Sequence, residues 1–144
     1  MESLFVAGAA LLLSAAFASD VRTMTIPNRL TVPATAAGLV CHAVPGIGSG
    51  LAFALAGGAL GFAMVFVMYL FRAVGAGDVK LFAALGAWIG AGEVVDTAIY
   101  AILFAGICGA AILIARKVLA AKRMPEHFPF MIAVVPGALA AWWA

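Results

Sequence analysis

Charge is what this sequence has least of. Only 10% of its 144 residues are Asp, Glu, Lys or Arg, 67% are hydrophobic, and the mean hydropathy is +1.20. About a quarter of an ordinary soluble domain is charged, so that class is excluded and an integral membrane protein is indicated. Cysteine is also scarce. Cys41 and Cys108 stand alone in apolar runs with no Cys-x-x-Cys or Cys/His spacing, which leaves no metal site and no obvious disulfide and reads as two small buried residues. The start has Glu2 and no Lys or Arg. A secretory signal opens on a positive region, so the first apolar run is expected to be a retained helix although Ala16-Phe17-Ala18 looks like a cleavage site. Long polar stretches are missing too, which leaves room for a single helix bundle over residues 1–144 and no second domain.

Apolar runs separated by Gly, Pro and charged residues predict six transmembrane helices, at about 4–19, 31–44, 51–71, 78–91, 94–115 and 128–144. The fourth is short enough to be re-entrant or buried instead. Charge decides between these. With six spans, the loops after helices one, three and five hold Arg22 and Arg29, then Arg72 with Lys80, then Arg116, Lys117, Lys122 and Arg123, which are all eight basic residues. The other side has Glu2, the uncharged 45–50 turn, Glu93 and Asp96. Basic loops are cytoplasmic by the positive-inside rule, so both termini are expected outside. A re-entrant fourth segment would split the basic set.

Two acids stand out against this background: Asp20, in Ser19-Asp20-Val21-Arg22 with Ile26-Pro27-Asn28 beyond it, and Asp78, in Gly75-Ala76-Gly77-Asp78-Val79-Lys80. Ionisable groups at membrane depth are costly and mark function by default. In the six-span topology Asp20 ends helix one and Asp78 starts helix four, so both fall on the cytoplasmic boundary and can meet. Peptide hydrolysis by such a pair needs one ionised carboxylate to take a proton from water and one protonated carboxyl to polarise the scissile carbonyl. Two neighbouring acids share a proton and titrate together. A helix N-terminus favours the anion and a C-terminus disfavours it, which makes Asp78 the base and Asp20 the acid, an order that Arg22 would reverse by stabilising ionised Asp20. Gly75 and Gly77 are expected to free the backbone before Asp78 and to let an extended chain approach. Lys80 would snorkel to the headgroups or set the charge of the pair. Pro27 and Asn28 fit a rigid turn and a helix cap.

These two motifs, in this order, resemble those of the type IV prepilin peptidases, intramembrane aspartic proteases of the Gly-x-Gly-Asp type. The resemblance covers nearly the whole chain. It implies cleavage of the short basic leader of prepilins before their hydrophobic N-terminal helix, at the cytoplasmic face of the inner membrane, with Asp20 and Asp78 catalytic and Gly75, Gly77, Lys80, Pro27, Asn28 and Arg22 in support. Larger members have paired Cys-x-x-Cys motifs in a domain after the first helix and also methylate the new N-terminus. Here that loop runs only from 21 to about 30 and has no cysteine, so the chain resembles the peptidase-only form associated with tight-adherence (Flp) pili. No zinc, S-adenosylmethionine or other cofactor is implied, and no partner besides the prepilin and the bilayer, nucleic acid included.

Blander readings exist for each residue. Alone, Asp20 would be a loop cap paired with Arg22 or Arg29, and Asp78 a helix cap paired with Lys80. Together with the glycines they favour the catalytic reading. Arg22, Arg29 and Arg72 read as topological anchors. His42 reads as a packed or interfacial histidine on the wrong side, and His127, beside Glu126, as a solvated loop histidine. Gly57, Gly58 and Gly61 permit close helix packing, and Trp142 and Trp143 anchor the far interface. The alternative functions are the related archaeal preflagellin peptidase, a non-enzymatic scaffold that would survive loss of either aspartate, and a small ion carrier, which would place its acids nearer the midplane.

Overall fold

A bilayer offers the backbone no water to bond, so a chain inside it must satisfy its own amides and carbonyls, and a helix does this within one segment. A computed structural model describes residues 2–44, 50–119 and 130–143. Over these residues the regular structure is all helix, as α1 (Glu2–Thr23), α2 (Asn28–Ala43), α3 (Leu51–Leu70), α4 (Ala76–Leu119) and α5 (Met131–Trp143). Three segments, Ser3–Thr23, Leu51–Leu70 and Ala76–Ala115, are long and apolar enough to cross a membrane, and α5 is apolar but shorter. The uncharged turn at 45–49 and the stretch with Lys122, Arg123, Glu126 and His127 lie outside the described residues.

The two helices expected at 78–91 and 94–115 have no loop between them; both belong to α4. Straight, its 44 residues would reach about 66 Å, twice the roughly 30 Å of a hydrocarbon core. Instead the backbone leaves helical space at Gly90, with φ 84° and ψ −177°, a combination essentially reserved for glycine. Contacts with α3 give the direction of each arm. Gly57 faces Gly86 and Gly90, Gly58 faces Ala83 and Ala87, and Gly61 faces Phe82, so the first arm (76–89) runs antiparallel to α3. Beyond the break Val94 meets Gly61, and Ala98 and Ile102 share a cavity with Met64 and Met68, so the second arm (91–119) runs parallel to it. The chain reverses at one residue. Glu93, expected in a loop, and Asp96, expected in the first turn of the fifth helix, are both exposed on the opening turns of the second arm.

The first arm is short because protein encloses it. Leu81, Phe82, Ala84 and Leu85 are at most 1% exposed, and α1, α2 and α3 each approach the arm at a glycine. A Cβ on Gly8 would run into the Trp88 ring, one on Gly38 would sit 3.1 Å from the Ala87 carbonyl oxygen, and one on Gly57 would strike the Gly86 carbonyl. The expected packing role of Gly57, Gly58 and Gly61 thus takes the form of backbone-to-backbone contact. His42 is packed, stacked on Phe5 with ring centroids 4.1 Å apart and with Nε2 3.2 Å from the Trp88 carbonyl oxygen. Cys41 and Cys108 are free and only half-buried, not fully buried as expected. Followed along these helices, Asp20, Arg22, Arg29, Arg72, Asp78 and Lys80 lie toward one end of the bundle, and His42, Gly90, Glu93, Asp96 and the exposed Trp143 toward the other.

The break makes a sharp stability prediction. A Cβ at Gly90 would be strained by the backbone and would enter the Phe53 ring, whereas nothing among the described residues lies within 4 Å of one at Gly106. Gly90→Ala should therefore destabilise the protein by about 2–4 kcal/mol. Gly106→Ala should leave it unchanged or stabilise it by up to about 1 kcal/mol. Thermal unfolding of the two variants in detergent checks the contrast.

Candidate active site

Asp20 lies inside a helix, not after one. α1 continues to Thr23, four residues past the expected end, and stops where Met24 takes a left-handed conformation, φ 51°. Hydroxyls fold the tail back onto the helix end. Ser19 Oγ donates to the Thr25 carbonyl at 2.8 Å, and the Thr23 and Thr25 hydroxyls are 2.9 Å apart. Held there, the Asp20 carboxyl is only 7% exposed, and its Oδ2 accepts the Met131 N–H at 3.1 Å. That amide belongs to the first residue of α5, one of the donors a helix start leaves without an intrahelical partner.

Asp78 occupies the first turn of α4, also 7% exposed. Its Oδ2 accepts the Gly75 N–H at 3.0 Å, while its own N–H donates to the Gly75 carbonyl at 3.1 Å. This reciprocal pair closes the turn, as a capping box does. The expectation that Gly75 and Gly77 are needed for unusual backbone angles is corrected, since the positive-φ glycines among the described residues are Gly50 and Gly90. Gly77 acts through its size: a Cβ there would sit 3.2 Å from Ile26 Cβ. Asn28 is corrected as well. It is the first residue of α2 and caps nothing, because the N-cap is Pro27, in extended conformation at φ −73° and ψ 144° with no side-chain cap bond. Instead Asn28 Oδ1 accepts from Lys80 Nζ at 2.8 Å, which gives Lys80 a protein partner in place of the expected headgroups. Arg22 is exposed in the last turn of α1.

These contacts lock the start of α4 onto the link between α1 and α2, through Gly77 on Ile26 and Lys80 on Asn28. Both carboxyl groups lie at the same end of the bundle, Asp20 where α1 meets α5 and Asp78 where α4 starts against the α1–α2 link. Each also holds a backbone N–H where a helix begins, Asp20 at α5 and Asp78 at α4. Helix-end electrostatics therefore act on both acids, and they do not by themselves separate an acid from a base. Sequence reasoning missed the Met131 amide and the Ser19, Thr23 and Thr25 hydroxyls. The hydroxyls carried a signal, three Ser/Thr residues flanking an acid at a helix end; a backbone amide 111 residues away carried none.

Residues 7–114, which include both aspartates, match the type IV leader peptidase family. The chain belongs to that family. Among its relatives, the prepilin leader peptidase/N-methyltransferase of Burkholderia pseudomallei (strain K96243) is 32% identical over 120 residues, 78% of this chain and 37% of the relative. The protein of the same name from Bacillus subtilis (strain 168) is 31% identical over 127 residues, 86% of this chain and 49% of the relative. The chain thus spans between 37% and 49% of the length of these relatives. No solved structure matches it.

The two motif glycines should respond differently to substitution. Gly77→Val puts branched methyls against Ile26 and should destabilise the protein by about 1–3 kcal/mol. Gly75→Ala meets only Asp78 Oδ2, at an ordinary 3.4 Å, and should stay within about 1 kcal/mol of wild type. Paired denaturation curves in detergent provide the measurement.

Proposed function

We propose that this chain is an intramembrane aspartic endopeptidase that removes the short basic leader of a type IV prepilin, of the tight-adherence (Flp) kind, at the cytoplasmic face of the inner membrane. The observation that supports this most directly is the placement of two buried carboxyl groups from distant parts of the sequence, Asp20 and Asp78, at one end of the bundle, in a member of a family whose named relatives are prepilin leader peptidases. In the proposed reaction one carboxylate takes a proton from water, which attacks the scissile carbonyl. The other, protonated, donates a hydrogen bond to the carbonyl oxygen and stabilises the charge that develops there. Protons then pass to the leaving amine, and the pair returns to one shared proton. The Met131 and Gly75 amides hold each acid in place through the cycle, which spares reorganisation when charge moves. Peptidase activity alone is proposed, since the link between α1 and α2 has no cysteine pair.

The proposed topology has six crossings: α1, α2, α3, the two arms of α4, and α5. At 16 and 13 residues, α2 and α5 would reach about 24 Å and 20 Å, short of a full core, so the bilayer would thin locally beside them. Arg22, Arg29 and Arg72 lie at the end that holds the aspartates, and by the positive-inside rule this supports a cytoplasmic location for that end with both termini outside.

Neither carboxyl can take over the other's proton role. Asp20→Asn and Asp78→Asn should each lower prepilin cleavage in reconstituted liposomes by about 10²–10⁴-fold or more, with thermal unfolding unchanged. Processing near the wild-type rate by either folded variant would overturn the assignment. The wild-type rate should be bell-shaped in pH, with both limbs belonging to the pair as a unit. Topology has its own check. With Cys41 and Cys108 replaced, a cysteine at Asp96 should react with an impermeant thiol reagent added outside and one at Arg72 should not. The reverse pattern would invert the proposed orientation.

A further inference from the structure

An apolar cavity of about 260 Å³ opens between α3, the second arm of α4 and the start of α5, lined chiefly by Met64, Met68, Phe82, Ala98, Ile102 and Phe130. Phe130 ties it to the candidate active site, because the next residue, Met131, donates its N–H to Asp20. Protein interiors are packed to crystal-like density and rarely leave such voids, and a dry engineered cavity of roughly 150 Å³ already binds benzene. This one has room for a phenyl-sized group, and its two methionines can adapt to different shapes. Exposed apolar side chains flank its mouth, the kind of surface that a bilayer covers. Ile102 is 39% exposed and Val67, also on the rim, 51%, while Leu103 and Ile107 continue the exposed apolar face along the second arm.

We propose that this cavity is a specificity pocket, which receives an apolar side chain from the first turns of the substrate's hydrophobic helix, just beyond the scissile bond. The proposal rests on the prepilin peptidase reading above. Three features of the cavity favour that occupant over any other part of the substrate. Among the described residues its lining has no charged side chain to meet a basic leader. It opens among exposed apolar side chains, a surface along which a membrane-embedded helix would travel. It also adjoins the carboxyl that would act on the bond at the end of that helix. Met64 to Met68 and Ala98 to Ile102 each cover about one helical turn, so the pocket takes one side chain and reads one position of the substrate.

The test uses full-length protein in liposomes and synthetic prepilin-like peptides with a basic leader and a leucine-rich helix. The peptides place p-benzoyl-phenylalanine, phenylalanine or alanine at successive positions of the first two turns after the cleavage site. On the folded but non-cleaving Asp78→Asn chain, photolysis should attach the benzophenone to Met64 or Met68 from one position preferentially. At that position Ile102→Trp, which fills the mouth, should lower kcat/KM for the phenylalanine peptide at least tenfold and leave the alanine peptide within threefold. Val67→Phe, at a more exposed rim residue, should act in the same sense and stands in if Ile102→Trp fails to fold. Benzophenone that reacts only with lipid acyl chains, or filled variants that treat both peptides alike, would overturn the pocket while leaving the peptidase reading intact. Position-specific cross-linking by a wild-type chain that cleaves none of the peptides would overturn the peptidase reading and keep the pocket as a helix-binding site.

Discussion

The close crossing of α3 over the first arm of α4 sets the rest of the molecule. Where Gly57 meets Gly86 and Gly61 meets the Phe82 carbonyl, no side chain separates the two backbones, and van der Waals contact supplies the attraction that the hydrophobic effect cannot supply between helices in lipid. With α3 pressed this close, the first arm becomes the centre of the bundle, and α1 and α2 are left to pack on its remaining faces through Gly8 and Gly38. The same arm carries Asp78 on its first turn, so the position of the acid follows from the crossing. The tight reversal at Gly90 follows too, since both arms must lie against one helix.

Burial at the other end of the arm creates a problem that the surrounding helices solve. Each aspartate is 7% exposed, and a buried carboxyl without a partner is expensive. The amides at the starts of α4 and α5 are themselves unpartnered within their helices. Pairing each amide with a carboxyl satisfies both needs at once, and among the described residues no cationic side chain bonds either carboxyl. Lys80 is drawn off to Asn28. A basic group held against the pair would favour ionisation of both acids, which is incompatible with the shared proton that the proposed chemistry requires.

Legibility from sequence followed how local each feature was. The two motifs, the six apolar runs and the gathering of basic residues at one end were readable, because each depends on composition or on spacing within a short segment. Length also marked the fourth run as short enough to be buried, and its enclosure by three helices is the physical reason. What could not be read were contacts between segments. Asn28 looked like a cap because Asn at a helix start usually is one, and only the approach of Lys80 redirects its side chain. Gly75 and Gly77 looked like torsional glycines, yet Gly77 is small because Ile26, from another loop, lies against it. Gly92-Glu93 looked like the loop between two helices, and one positive φ at Gly90, inside the expected fourth helix, does the work of one.

Enclosure also constrains how a substrate reaches the acids. Helices cover the first arm on α1, α2 and α3, and the α5 amide covers Asp20, so a peptide cannot arrive through the body of the bundle. The remaining approach is along the end of the bundle, where the Gly75 turn and the Ile26-Pro27 link flank Asp78. A prepilin presents two unlike segments to such a site, an extended basic leader and an apolar helix, and the surface beside the aspartates changes character in the same order. Exposed Arg22, Arg29 and Arg72 lie at the end, and the cavity between α3 and the second arm opens among exposed apolar side chains. Arginines do not attract a basic leader, so the leader's own charge is better matched by anionic headgroups at that surface. Substrate recognition in the proposed reaction then rests on the apolar helix, with the membrane holding the leader and the protein holding the first turns beyond the bond.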